Sequence, residues 1–538
     1  MNKGKSKTYS TLTRWMDFRQ KIIVEGIAVG FFAGVMAILY RYLLSEAESL
    51  RREIYSVLKM GGFYATLLWF VFLFALAYVL GLIVKKEPMV SGSGIPQVKG
   101  VLSGQLKMNW IKVIIFKFLG GVLALGVGLS LGREGPSVQL GAAAGQGFSR
   151  AMGRLRVEEK YLITCGASAG LSAAFNAPLA GTIFALEELH KNFSPMVMVP
   201  AMVASLTAGF VSQQFFGQMP VFNFGRIKPL PLNHYFYVLL LGIVTGLFGI
   251  VFNTALIKTQ DFFKNIKILR PELKPAIPFV IAGVLGFVMP EVLGGGGEMI
   301  DSLNKISFTL YYVVILLVVK FFFTMTSYGS GVPGGIFLPL LVIGALTGDV
   351  YGTVVVKLMD LNPEYIKNFL ILAMAGYFSA IVKAPITGSI LITEMTGSFS
   401  HLLALSIVSV TSYLVTDLFK SKPIYDTLLD RLTARRGSKY RGPEVESQKI
   451  LMEVPVCLGS AFDGRKVKDV RWPENCLLVG INRGDLEIIP KGDTIMLPGD
   501  YLVVLTDETK AAEINKKLLK LGVEPEEHSA VSLNETLS

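Results

Sequence analysis

Gly132, Arg133, Glu134, Gly135 and Pro136 interrupt an apolar run that extends from Val113 to Ser130. An acid beside a base is expensive to keep in a bilayer, because desolvation disfavours both charges. The flanking glycines let the backbone bend and approach a ligand closely, and Pro136 sits where the first turn of a helix tolerates it. Ser137 to Phe148 then read as a small-residue apolar helix. The expected geometry is a helix amino end that carries a carboxylate at membrane depth. Unpaired amides and the helix dipole at such an end attract an anion, so Glu134 stands where a free anion also binds. Competition between the two is the functional expectation from these residues alone.

The rest of the chain agrees with a membrane setting. Of its 538 residues 52% are hydrophobic and only 17% charged, and the mean hydropathy is +0.52, too apolar for a water-soluble protein of this size. Apolar segments recur at Ile22 to Leu44, Phe63 to Val84, Val113 to Leu131, Met196 to Phe216, Tyr235 to Phe252, Ile277 to Val288, Leu310 to Phe323, Phe337 to Val356 and Leu402 to Leu418. Several are short or broken by Gly and Pro, which predicts discontinuous helices around a buried site. The formal charge of +12 does not indicate a nucleic-acid partner, because the basic residues cluster beside apolar segments. Lys3, Lys5, Lys7, Arg14, Arg19 and Lys21 precede the first, and Arg431, Arg435, Arg436, Lys439 and Arg441 follow the last. By the positive-inside rule both termini are expected in the cytoplasm of a multi-pass protein of the cell membrane. The first span lacks a secretory cleavage site and reads as retained. Cys165, Cys457 and Cys476 form no close pair, which speaks against a disulfide framework and a thiolate metal site.

An internal repeat runs through the apolar region. Ala177 to Ile183 lead to Glu187, and Ala384 to Ile390 lead to Glu394 at the same internal spacing. Upstream, Gly141, Ala142 and Gly145 match Gly344, Ala345 and Gly348 at nearly the same offset, which sets Phe337 opposite Glu134. Two homologous halves with broken helices predict a transporter fold with a midplane site. The second half opens its own helix through Gly329 to Pro339, where glycines free successive amides and Ile336 and Phe337 supply water-excluding bulk.

Other positions carry two readings each. Ser93, between Gly92 and Gly94, is a hydroxyl donor for an anion or part of an ordinary loop. Lys117 either snorkels or biases an anion site electrostatically. Glu187 and Glu188 point about 100° apart on a helix, so one reaches a protein interior and the other solvent or the partner half. They are either a solvated helix end or a proton port. Tyr425, after Lys422 and Pro423, is a second donor or an interfacial aromatic. Gly294 to Gly297 reads as a turn, lacking the Lys-Ser/Thr of a phosphate loop. Gly166 to Gly170 satisfies G-x-S-x-G, but its apolar helical setting and the absence of a suitable histidine argue against an enzyme.

GSGIP at Gly92 to Pro96, GREGP at Gly132 to Pro136, GGIFLP at Gly334 to Pro339 and the KPIY tyrosine Tyr425 occur in the order that characterises the CLC family of chloride channels and chloride/proton antiporters. Residues 20 to 430 resemble that family. The resemblance implies an all-α polytopic membrane protein, an inverted repeat of broken helices forming a homodimer with one ion pathway per subunit. It implies that the Ser93 and Tyr425 hydroxyls and the Ile336 and Phe337 amides hold chloride, with Arg133, Gly135 and Leu338 beside them. Glu134 matches the gating glutamate, Glu188 the inner proton-transfer glutamate of antiporters, with Lys117 and Glu187 in support. Gln97 departs from the family's common Glu, outside the ion shell, and Ser93 favours chloride over fluoride. Chloride and protons are then the substrates, with no cofactor and no metal. The function implied is secondary active chloride/proton antiport; the alternative is a passive voltage- or pH-gated chloride channel of the same fold.

After the linker the composition changes to a small cytoplasmic α/β domain. Strands are expected at Lys449 to Val456, Cys476 to Asn482, Leu486 to Pro490 and Tyr501 to Thr506, and a helix at Glu508 to Leu521. Gly464 to Val470 and Leu497 to Val504 resemble the TrkA-C or RCK-C regulatory domain, which implies a ligand-sensing or dimerising module with a nucleotide as candidate ligand; a structural cap is the other reading. The expected organisation is a basic segment 1–20, a transport domain 21–430, a linker 431–446, the TrkA-C-like domain 447–525 and a disordered tail 526–538.

Overall fold

The computed structural model describes residues 7–435 and 449–523, except 192, 226, 307, 485 and 508–510. The start of the basic segment, most of the linker and the tail lie outside the described residues. The chain divides into two compact units, Met1–Gly437 and Ser438–Ser538.

The first unit is helical: α1 (Lys7–Met60), α2 (Gly62–Lys86), α3 (Ile95–Leu102), α4 (Trp110–Gly126), α5 (Glu134–Ala151), α6 (Arg156–Phe175), α7 (Pro178–Phe184), α8 (Pro195–Phe216), α9 (Tyr235–Asn265), α10 (Ala276–Val288), α11 (Gly297–Lys305), α12 (Leu310–Gly329), α13 (Phe337–Met359), α14 (Tyr365–Val382), α15 (Pro385–Thr396), α16 (Leu402–Leu418) and α17 (Ile424–Arg435). The basic stretch from Lys7 is continuous with the first apolar segment in α1, and Arg431 to Arg435 are the last turn of α17. Among the described residues nine helical stretches are long and apolar enough to cross a membrane. Eight coincide with the segments expected from sequence. The ninth is α14, and α4, at 17 residues, is shorter than the expected Val113 to Leu131 segment.

The broken helices follow from local chemistry. α3, α7 and α15 each carry Pro in the first turn, at Pro96, Pro178 and Pro385, where its missing N–H costs nothing. Gly94 precedes α3 with φ 99°, a left-handed conformation that glycine adopts freely. Close packing replaces bulk at the α5–α6 crossing: a Cβ on Gly141 would strike the Gly166 carbonyl, and one on Gly166 the Gly141 carbonyl. Ser168 lies within α6, its hydroxyl on Ser205 Oγ at 2.5 Å and the Ala201 carbonyl at 3.3 Å, so the G-x-S-x-G stretch is a packing surface rather than a strand-to-helix elbow.

The second unit is a four-stranded antiparallel sheet in the order β1-β4-β2-β3, with β1 (Lys449–Pro455), β2 (Cys476–Arg483), β3 (Leu486–Ile488) and β4 (Asp500–Asp507), followed by α18 (Ala511–Val523). Leu502 and Val504 alternate inward along β4 with period two. They meet Val454, Ile481 and Phe462, while Ile514 and Leu518, one turn apart, bring α18 onto the same core. The strands lie where the sequence places them, within two residues at either end; the helix expected from Glu508 to Leu521 is described from Ala511 and ends at Val523.

Candidate ion site

Three glycine-rich loops meet at one place. Gly132 and Gly335 exchange both backbone hydrogen bonds, Gly132 N–H to Gly335 O at 2.7 Å and Gly335 N–H to Gly132 O at 2.8 Å. Beside them Gly92 donates to Val332 O at 3.1 Å and accepts from Gly334 N–H at 3.0 Å. The reciprocal pair joins residues at matching positions of the repeat, as a two-fold relation between the halves requires. From this bridge α5 begins at Glu134 and α13 at Phe337, so the residues that the repeat set opposite each other are the first residues of two helices. Each opens with first-turn amides that lack intrahelical acceptors.

The side chains around those amino ends are buried and polar. Glu134 has no exposed surface. The amides of Leu338 and Glu134 approach its carboxylate, yet neither oxygen has a well-formed hydrogen bond. Arg133 Nε is 4.0 Å from Glu134 Oε1 and is itself unpartnered. The Ser93 hydroxyl lies against Gly135, where a Cβ would collide with it. The Tyr425 hydroxyl faces Ser93, and both hydroxyls are buried without a well-formed bond. Phe337 closes the apolar side, its ring 4.8 Å from Phe378 and 5.2 Å from Phe175. Buried polar atoms normally have partners. Here two hydroxyls, a carboxylate and helix-start amides converge without satisfying one another, a donor set suited to a small anion.

Lys117 does not snorkel. It is fully buried, and its ammonium donates to the carbonyls of Val90 at 3.0 Å and Gly92 at 2.6 Å, fixing the loop that carries Ser93. Sequence reading missed its counterpart: Lys320 is equally buried and donates to Val292 O at 2.8 Å and Gly294 O at 2.7 Å. The signal was present, since Lys117 precedes Glu134 by seventeen residues and Lys320 precedes Phe337 by the same number. The Gly294 to Gly297 turn is therefore the second half's version of the Gly92 to Gly94 loop, with Gly296 at φ 90° before α11 as Gly94 is before α3.

Glu187 and Glu188 occupy a π-helical turn, Ala185–His190. They diverge as adjacent helix residues do. Glu187 accepts from the Ile386 and Thr387 amides of α15 in the other half. Glu188 is 2% exposed and accepts from Lys99 Nζ at 2.8 Å, so a solvated helix end does not describe it.

The family model described as voltage gated chloride channel matches residues 74–417. The chain belongs to this family. Within the CLC family, similar curated proteins include the H(+)/Cl(-) exchange transporter ClcA of Salmonella arizonae and that of Salmonella newport. Each is 32% identical over 428 residues, covering 78% of this chain and 90% of the relative. A solved slow cyanobacterial Cl-/H+ antiporter aligns with TM-score 0.74 at 28% identity, over 77% of this chain and 98% of that one. A CLC-type fluoride/proton antiporter shares the fold with TM-score 0.63 at 23% identity, over 78% and 98% of the two chains. A TrkA-C domain model matches residues 451–519, within the second unit. The fold is the CLC inverted repeat of broken helices followed by a small α/β domain.

Proposed function

We propose that the protein is a secondary active chloride/proton antiporter. The observation that carries this reading is the Glu134 carboxylate, buried and without a well-formed bond at the amino end of α5, among the groups that suit an anion. When ionised it competes with chloride for the helix-start amides; when protonated it loses its charge and its claim on them. Chloride then occupies the place held by the Ser93 and Tyr425 hydroxyls and the Ile336 and Phe337 amides, flanked by Arg133, Gly135 and Leu338. Return of the carboxylate on deprotonation expels the anion, so one group couples both ions. Glu188 supplies the proton from the other face of the protein, with Glu187 and Lys117 holding the framework. The antiporters among the relatives support this assignment over a passive channel.

The same reading sets a transport domain at 21–430 in the cell membrane with both termini cytoplasmic, a homodimer with one pathway per subunit, and a regulatory domain at 447–525. In that domain a cleft of about 600 Å³ between α18 and the Arg471 to Asn475 segment presents Arg471, Lys517 and Lys520. Glu474 and Glu513 line it too and Lys517 pairs with Glu513 at 2.7 Å, so the cationic excess it offers a candidate nucleotide is slight. Simultaneous recording of chloride and proton movement in sealed proteoliposomes tests the antiport reading. A chloride gradient is expected to drive protons the opposite way; chloride flux with no proton movement would make the protein a channel.

A further inference from the structure

Lys99 stands where the two sides of the proposed coupling meet. It projects from α3, the helix entered through Ser93 and Gly94, and its ammonium reaches Glu188 at 2.8 Å and, in a second ion pair, Asp426. Asp426 follows Tyr425 directly on α17 and also pairs with Lys191 at 2.5 Å. Lys99 is 8% exposed and Glu188 2%, so the pair is held in a low dielectric where each charge depends on the other. The surroundings offer Glu188 few other charges. Lys99 faces it from α3, Asp426 and the Tyr425 phenol from α17, and Lys191 from the end of its own turn. His190 on that turn is bound to Thr164 of α6 at 2.6 Å, and α8 brings no charged residue.

Resting on the antiport reading, we infer that Lys99 is a positioning residue for proton transfer: its ammonium keeps the Glu188 carboxylate ionised and turned toward the α3–α17 seam until an arriving proton displaces it. The step balances simply. A proton adds to a Glu188 oxygen, the carboxylate becomes a neutral acid, and the Glu188–Lys99 ion pair is lost. Lys99 remains an ammonium with Asp426 as its counter-ion. Passing the proton on toward Glu134 restores the pair. Because Lys99 shares α3 with the Ser93 loop and Asp426 shares α17 with Tyr425, the same exchange of partners loads the two elements that carry the hydroxyl donors.

The test uses the full chain in proteoliposomes, with chloride-driven proton flux measured against pH equal on both sides. Without the ammonium the buried acid holds its proton more tightly, so Lys99→Met is expected to move the midpoint of the flux–pH curve upward by roughly one to three pH units. Lys99→Arg is expected to restore the wild-type midpoint, and Asp426→Asn, which removes a neighbouring negative charge, to move it downward. Opposite shifts are not what a loss of packing produces. An unchanged midpoint in a transporting Lys99→Met protein, or the same shift in Lys99→Arg, would overturn the inference alone. Absence of proton movement in the wild-type chain would overturn the antiport reading and this inference with it.

Discussion

Glu187 and Glu394 cap each other's halves of the molecule. Glu187 accepts from the amides of Ile386 at 3.1 Å and Thr387 at 2.7 Å, at the start of α15; Glu394, on α15, accepts from Leu179 at 3.1 Å and Ala180 at 2.7 Å, at the start of α7. Each carboxylate thus satisfies amides that its partner helix cannot, and sits at the positive end of that helix's dipole. The match in distances is what a two-fold relation between the halves produces.

Glu187→Ala and Glu394→Ala are each expected to lower stability by about 1–2 kcal/mol, the cost of a lost cap with amides left unsatisfied. Because α7 and α15 pack against each other, the double variant should depart from additivity. Thermal unfolding of the four proteins in detergent closes the cycle, and strict additivity would mean that the two caps act separately.

The repeat that relates these two carboxylates was legible in the sequence, because it is carried by short apolar-glycine strings with fixed spacing to Glu187 and Glu394; their capping of each other's helices was not. The loops around Gly92, Gly132 and Gly335 were legible too, since glycine and proline report backbone needs directly. The α14 span was missed among neighbouring apolar strings, where boundaries depend on what packs around the helix; nearly all of it is buried in protein. The Lys99–Glu188 pair and the carbonyl partners of Lys117 and Lys320 were not legible, because a long side chain's partner is set by tertiary placement and not by local pattern.

Glu134→Gln removes the titratable group while keeping its shape. The variant's proton flux is expected to fall to the leak of empty vesicles while chloride still moves, because Ser93, Tyr425 and the helix-start amides remain. Paired pH and chloride recordings check this, and chloride-driven proton movement in the variant would remove Glu134 from the coupling step.

Lys117→Met and Lys320→Met delete equivalent ammoniums with unequal consequences. Lys320→Met strands two buried carbonyls and Lys117→Met strands that of Val90, because Gly92 O keeps the Gly334 amide; the cost is about 1–3 kcal/mol per unsatisfied group. Only Lys117 holds the oxygen of Gly92, which also accepts the Gly334 amide and immediately precedes Ser93. Both variants should therefore lose thermal stability, but only Lys117→Met should weaken chloride binding. Titration of chloride by calorimetry separates them, and equal weakening would show that the Gly294 loop also shapes the site.

The second unit carries its own pH dependence through Arg483 and Asp500. The guanidinium makes two bonds to the carboxylate at 2.7 Å, from Nε to Oδ1 and from an Nη to Oδ2, and the Leu497 amide adds a third at 2.8 Å. Burial alone would raise the Asp500 carboxyl, but these partners outweigh it and hold it below the ordinary aspartate range. A carboxyl depressed in the folded state binds fewer protons there than in the unfolded chain, so stability rises with pH across that window. The contribution is complete above the unfolded value, near 3.9, and disappears as pH falls through the folded one. Exchange of β4 amides in the full chain, corrected for intrinsic rates, is expected to lose protection as pH drops below about 4. Asp500→Asn should be less protected at neutral pH and should lose that acid-dependent step, because the asparagine keeps the shape and cannot titrate. Persistence of the step in Asp500→Asn would assign the acid sensitivity of this sheet to another group.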